Sequence, residues 1–152
     1  MRGKEIDLGL LFLRLGVGCI LIYFGCQKMV GMFGGQGFSH QIETFQKLGF
    51  PALLATLSIF AEFFGSLGLI LGFFTRIAAF GVSCNMAVAT WFVLKTPGAM
   101  DNIFKYGTPN EVGKIFFPLL LLFGALALLC TGAGRFSIDS KLFPAGGSKK
   151  KK

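Results

Sequence analysis

The stretch Leu8 to Met29, LGLLFLRLGVGCILIYFGCQKM, decides the fold class. It is apolar apart from Arg14, Gln27 and Lys28, and at about 1.5 Å of rise per residue it can cross the ~30 Å hydrocarbon core of a bilayer as a helix. Three further apolar blocks follow, Pro51–Phe74, Ile77–Leu94 and Ile115–Thr131. None alternates at period two as a barrel strand does, and lipid offers no partner to an open backbone amide, so all four are read as transmembrane helices. Pro51 falls where a first helical turn accepts proline, and Pro118 lies early enough in its block for neighbouring groups to satisfy the carbonyl it frees.

Composition points the same way. Of 152 residues, 53% are hydrophobic and 14% charged, far from the quarter or so of charged residues in a soluble domain, which excludes a soluble enzyme. Outside the four blocks the loops and tails are too short for an extramembrane domain of ordinary size. The expected architecture is therefore all-α: an integral membrane four-helix bundle forming one domain over residues 1–141, followed by a flexible basic tail, 142–152. Membrane lipids and other membrane proteins are the expected partners, a homo-oligomer is open, and nucleic acid is not expected.

Basic residues set the expected orientation. Arg2, Lys4, Arg76, Arg135, Lys141 and Lys149 to Lys152 lie on one side of the blocks; Lys28, Lys47, Lys95, Lys105 and Lys114 lie on the other. The heavier side is expected to be cytoplasmic, with both termini inside a bacterial-type inner membrane and the loops Val30–Phe50 and Lys95–Lys114 outside. Arg14 interrupts the first apolar run and no Ala-x-Ala-like site follows it, so the N-terminus reads as an uncleaved signal anchor. The glycine-rich stretch Gly31–Gly37 lacks the preceding strand and following Lys-Ser/Thr of a phosphate loop and reads as a turn. After it, Phe38, Ile42 and Phe45 recur at helical offsets between Gln41, Glu43 and Lys47, which predicts a short interfacial helix in the first outer loop.

Arg14, Glu62 and Asn85 are the costly residues, since a charge near the bilayer centre is disfavoured by at least about 2.5 kcal/mol. They are expected to face the bundle interior. Counted from the termini-bearing ends of their blocks, Arg14 lies roughly 9 Å deep, Asn85 about 12 Å and Glu62 about 16 Å. That spread predicts an Arg14–Glu62 pair with Asn85 donating or accepting beside it. Arg14, Gly18, Leu21, Gly25 and Lys28 form one helical stripe, and Ser58, Glu62 and Ser66 another, as interior faces require. Two readings stand for this cluster: an ion pair that fixes helix register, and a proton- or quinone-handling site.

Toward the outer mouth, Lys28, His40 and Cys26 are the further candidates. Cys26 lies near Lys28, whose charge favours thiolate, and His40 is the only histidine. Cys19, Cys26, Cys84 and Cys130 form no C-x-x-C pair, and with one histidine they make no metal constellation, so no metal and no covalently bound cofactor are expected. Cys19 and Cys26 stand about 10 Å apart along one helix, too far for a disulfide, and most of the cysteines are expected as small packing residues.

Several motifs resemble those of the DoxX family of small four-helix membrane proteins, in the broad group that includes DoxD-like and MauE-like chains. They are Leu13-Arg14-Leu15-Gly16 with Gly25-Cys26-Gln27-Lys28; Leu48-Gly49-Phe50-Pro51; Ala61-Glu62-Phe63-Phe64-Gly65; Leu71-Gly72-Phe73-Phe74-Thr75-Arg76; and Gly132-Ala133-Gly134-Arg135-Phe136-Ser137-Ile138-Asp139. The similarity spans roughly Leu8 to Lys141. It implies a membrane bundle in which Arg14, Lys28, Glu62, Arg76, Arg135 and Asp139 are pattern positions, with Arg76, Arg135 and Asp139 expected as an anchor at the cytoplasmic edge where the arginines meet headgroups or Asp139. Some relatives serve quinone-linked oxidation of sulfur compounds and others redox or oxidative-stress complexes. The resemblance therefore implies an accessory or structural subunit of a redox-linked membrane complex, with quinone as the expected ligand and membrane or periplasmic redox proteins as partners. Two alternatives stay open: a quinone-reducing oxidoreductase subunit that needs a redox partner, and a small-solute transporter.

Overall fold

The computed structural model describes residues 2–98, 101, 105 and 109–142. Among the described residues the helices given by range are α1 (Arg2–Met29), α2 (Gly37–Lys47), α3 (Ala52–Leu71), α4 (Thr75–Lys95), α5 (Pro109–Thr131) and the short α6 (Ile138–Leu142). Four of them, over Gly3–Met29, Ala52–Leu71, Thr75–Lys95 and Val112–Thr131, are long and apolar enough to cross a membrane. Phe104, Tyr106 and the lysine tail lie outside the described residues.

The long helices pack in a closed ring, α1 on α3, α3 on α4, α4 on α5 and α5 back on α1. Val17, Leu21, Leu69, Ala79, Val82, Met86, Leu121, Ala125 and Leu128 meet at its centre. The outside is as apolar as the inside. Leu120, Ile77 and Phe12 are 71%, 69% and 65% exposed, a surface that water would penalise at about 25 cal/mol per Å² and lipid would not. Within the helices, the hydroxyls of Thr56, Ser83, Thr90 and Thr131 donate to the carbonyl four residues back, so they need no water.

Glycine sets how α1 meets α3. A Cβ at Gly18 would lie 2.6 Å from Ile70 Cγ1, and one at Gly25 would lie 2.9 Å from Phe63 Cα. Both contacts join residues whose numbers add to 88, which fixes the antiparallel register of the two helices. The expected stripe is realised: Arg14, Gly18, Leu21 and Gly25 are buried, and Lys28 is partly so.

At the turn between α3 and α4, two boundaries differ from the sequence expectation. The second span ends at Leu71 rather than Phe74, because Gly72 adopts a left-handed conformation (φ 66°) that closes α3. The third begins at Thr75 rather than Ile77, because the Asp139 carboxylate accepts the N–H groups of Phe74 (2.7 Å) and Thr75 (2.8 Å) and so caps α4 from 64 to 65 residues away. No local signal announces a cap that distant.

The expected short helix in the first loop is α2. It packs on α3 and α1 through the partly buried Phe38, Ile42 and Phe45, with ring contacts from Phe38 to Phe60 (6.1 Å) and from Phe45 to Phe50 (6.0 Å). The glycine-rich turn before it folds back on α1. A Cβ at Gly35 would overlap the Gln27 backbone, and Gln27 Nε2 donates to the Phe33 carbonyl at 3.2 Å. The bundle thus has a loop end, covered by α2, and a termini end, formed by the start of α1, the α3–α4 turn and the segment after α5.

Candidate functional site inside the bundle

The ion pair inside the bundle joins Lys28 to Glu62. Lys28 Nζ donates to Glu62 Oε2 at 2.5 Å, with the lysine side chain 25% exposed and the carboxylate 4%. Helix register explains the match. With numbers adding to 88, Glu62 stands level with Cys26, only two residues from Lys28, and Gly25 lets α1 lie directly on the backbone around Glu62. The lysine comes from the helix end and keeps part of its stem near the surface, while the carboxylate sits at the centre of the buried face of α3.

One turn toward the loop end, Ser58 Oγ donates to Asn85 Oδ1 at 2.5 Å and ties α3 to α4. Ser58 and Glu62 are neighbours at i and i+4 on α3, so the serine reaches one partner helix and the glutamate the other. Ser66, the third residue of that stripe, is buried but donates to the Phe63 carbonyl of its own helix (2.7 Å).

Arg14 does not join this cluster, which corrects the expected Arg14–Glu62 pair. Its guanidinium is buried at the termini end, where Nη2 donates to the Phe136 carbonyl. Nη1 lies over Gly72, so closely that a Cβ there would overlap it. Among the described residues Arg14 Nε and Nη1 have no hydrogen-bond partner, nor has the buried Thr75 Oγ1. The cation therefore sits against the C-terminus of α3, while the Asp139 carboxylate sits at the N-terminus of α4, each at the helix end of opposite partial charge. Asp139 N–H closes the arrangement by donating to the Gly72 carbonyl at 2.8 Å. Together Arg14, Gly72 and Asp139 form a clasp that binds the segment after α5 to the α3–α4 turn.

The arginines expected to meet Asp139 go elsewhere, because its oxygens already accept backbone N–H groups. Arg135 turns to Asp7: its N–H donates to Asp7 Oδ1 at 3.0 Å and its Nε lies 3.6 Å from Oδ2. Arg76 is exposed and runs alongside Gly132. Nothing in the sequence points to Asp7 or to the Phe136 carbonyl; a carbonyl acceptor carries no signature in residue type.

At the loop end, His40 is exposed on α2, with its carbonyl accepting from Thr44 Oγ1 (2.9 Å). Cys26 is partly buried, level with Glu62, and its carbonyl accepts the N–H groups of Val30 and Gly31 at 3.0 and 3.1 Å. Cys19, Cys84 and Cys130 are exposed on the outside of the bundle rather than packed within it, because their helical positions fall on the lipid-facing side. Lys95 lies over the Trp91 ring, 4.7 Å from its centroid.

Comparison with known proteins agrees with this architecture. The chain is 35% identical over 138 residues to an uncharacterized protein of Haemophilus influenzae, covering 88% of this chain and 90% of the relative. It is 30% identical over 140 residues to "Inner membrane protein YqjF" of Escherichia coli, covering 91% and 95% of the two chains. It is 29% identical over 140 residues to "Putative oxidoreductase CatD" of Bacillus subtilis, covering 92% and 91%. No solved structure matches the chain. The DoxX family profile matches residues 9–95, which hold Arg14, Lys28, Glu62 and Asn85 together. The chain is a membrane protein of the DoxX family.

Proposed function

We propose that this protein is an accessory subunit of a redox-linked membrane complex, to which it contributes polar groups for a quinone pocket. The observation that carries the reading is the Lys28–Glu62 pair. A carboxylate and an ammonium held at 2.5 Å within the span are costly to keep there, and intramembrane ionisable groups are the usual mark of proton or ligand handling. A relative's name, "Putative oxidoreductase CatD" of Bacillus subtilis, supports the redox direction. In this reading Glu62 and Lys28 exchange hydrogen bonds with a bound oxygen or pass a proton toward the loop end, while a partner supplies the electron chemistry. The clasp holds the termini end, which faces the cytoplasm by its share of basic residues.

The test is native mass spectrometry of the protein gently extracted from its own membrane, paired with quinone reduction by those membranes. The expected result is co-purification of a redox protein, with Glu62→Gln leaving insertion and abundance intact and lowering quinone-linked activity. Unchanged activity at normal protein levels would sink the reading.

A further inference from the structure

The turn that follows α5, Gly132-Ala133-Gly134, is shaped by two left-handed glycines, Gly132 (φ 82°) and Gly134 (φ 71°). The Gly132 N–H donates to the Leu128 carbonyl at 2.8 Å, while those of Ala133 and Gly134 donate to nothing among the described residues. Turns with left-handed residues line up successive N–H groups as a concavity that accepts an anion. Arg76 lies against the same turn, with its Nε 3.4 Å and its Nη2 3.8 Å from where a Cβ at Gly132 would stand. Two unpartnered backbone donors and a guanidinium are thus neighbours at one spot.

Among the described residues no acid balances Arg76. Asp139 accepts the N–H groups of Phe74 and Thr75, Asp7 takes Arg135, and Glu5 stands exposed on the first turn of α1. The C-terminus of α5 attracts the guanidinium, but a helix end carries about half a charge and leaves the cation a net positive field. Arg76 opens α4 and the turn closes α5, so both lie at the termini end of their spans, where headgroups meet hydrocarbon. Exposed apolar side chains flank them: Ile77 follows Arg76, Phe136 follows Arg135, and Phe73 and Phe74 occupy the α3–α4 turn. Acyl chains suit those side chains and water does not. The fitting ligand therefore carries an anionic oxygen at one end and hydrocarbon at the other, which a free anion does not.

We propose that Arg76 and the Gly132-Ala133-Gly134 turn bind the phosphate of an anionic phospholipid in the leaflet at the termini end, with its acyl chains against Ile77 and Phe136. The N–H groups of Ala133 and Gly134 donate to phosphate oxygens, and Arg76 adds a charge-assisted hydrogen bond. A zwitterionic headgroup brings an ammonium that the same guanidinium repels, so the site selects for net negative charge. It lies at the opposite end of the bundle from Lys28 and Glu62, and it stands or falls independently of the redox reading. Only binding is assigned to it.

The experiment titrates the delipidated full chain, in detergent micelles, with phosphatidylglycerol or phosphatidylethanolamine and reads bound lipid by native mass spectrometry. Phosphatidylglycerol is expected to bind the more tightly. Arg76→Gln should weaken it about fivefold, the pull of one basic residue near an anionic surface, and leave phosphatidylethanolamine unchanged. Arg76→Lys, which keeps the charge, should keep the preference, and so should Lys47→Gln at the loop end. Retained helicity and a monodisperse elution profile show that each variant folds. Equal binding of the two lipids overturns the proposal, as does phosphatidylglycerol binding that Arg76→Gln leaves intact or that Lys47→Gln weakens as much. Displacement of phosphatidylglycerol by millimolar inorganic phosphate would make the spot a free-anion site and also overturn it. A second measurement needs no substitution: phosphatidylglycerol with a photoactivatable headgroup should label the peptide carrying Gly132 to Arg135 in the unaltered chain, and labelling confined to other peptides would sink the site.

Discussion

Removing one member of the Lys28–Glu62 pair should cost unequally, and the inequality follows from exposure. Lys28→Met leaves a carboxylate that is 4% exposed, and Arg14 is committed to the clasp and cannot replace the lysine. Breaking a buried pair this way costs about 3–5 kcal/mol, and we expect about 3 kcal/mol here. Glu62→Gln leaves an ammonium that is already a quarter exposed, on a long stem near the end of α1, so it can swing toward the loop end. Its expected cost is about 1 kcal/mol. The double variant Lys28→Met/Glu62→Gln removes both charges and should fall within about 1 kcal/mol of the parent protein. The cycle therefore predicts a coupling of about 3 kcal/mol between the two sites. Reversible unfolding in mixed micelles, followed by circular dichroism over increasing sodium dodecyl sulfate, measures all four corners. Equal single costs, or singles that sum to the double within about 0.5 kcal/mol, would refute the assignment of this pair as a buried, mutually compensating one.

Two pairs of substitutions test the glycines. Gly72→Ala should destabilise by about 3–4 kcal/mol in the same unfolding assay, combining about 1 kcal/mol for a left-handed alanine with loss of a charged hydrogen bond as Arg14 is displaced. Gly49→Ala, at φ 89° with nothing within 4 Å, should show only the ~1 kcal/mol backbone cost, and a similar loss at both positions would argue against the clasp. Gly25→Ala should destabilise by about 1–3 kcal/mol by forcing α1 from the Phe63 backbone, whereas Gly16→Ala, facing open space, should be neutral or slightly stabilising; the opposite order would contradict the α1–α3 contact.

The four spans were legible because lipid enforces them. An apolar block long enough to cross, without a period of two, has one backbone solution, so Leu8–Met29 alone announces a transmembrane helix. The stripes were legible for a related reason: Gly18 and Gly25, four residues from Arg14 and three from Lys28, mark where one helix touches another. What the sequence did not reveal is which partner each buried polar group takes. Lys28 was placed at the outer mouth and Glu62 with Arg14, yet the structure pairs Lys28 with Glu62. The sequence offers Asp139 to the arginines as one partner beside headgroups, yet it accepts backbone N–H groups whose need for a cap exists only once Gly72 has ended α3. Such choices depend on register and on helix ends, and neither is written at the residues that depend on them.

Register also decides why Arg14 and Glu62 stand apart. Depths counted from block ends assume that each block begins at the same plane, but α1 begins at Arg2, well before its apolar run. The glycine contacts supply the correct ruler. Gly18 against Ile70 and Gly25 against Phe63 place Glu62 level with Cys26, which is twelve residues, or about 18 Å, from Arg14. No arginine side chain spans that distance. On the same ruler Arg14 falls level with Phe74, beyond the last residue of α3, where the partner available to a guanidinium is the negative end of a helix and a free carbonyl. The two buried charges of the first and third helices thus serve different ends of the molecule. Arg14 answers the electrostatics of a helix terminus and joins the fold together, and Glu62 is held mid-span by a lysine that reaches in from the loop end.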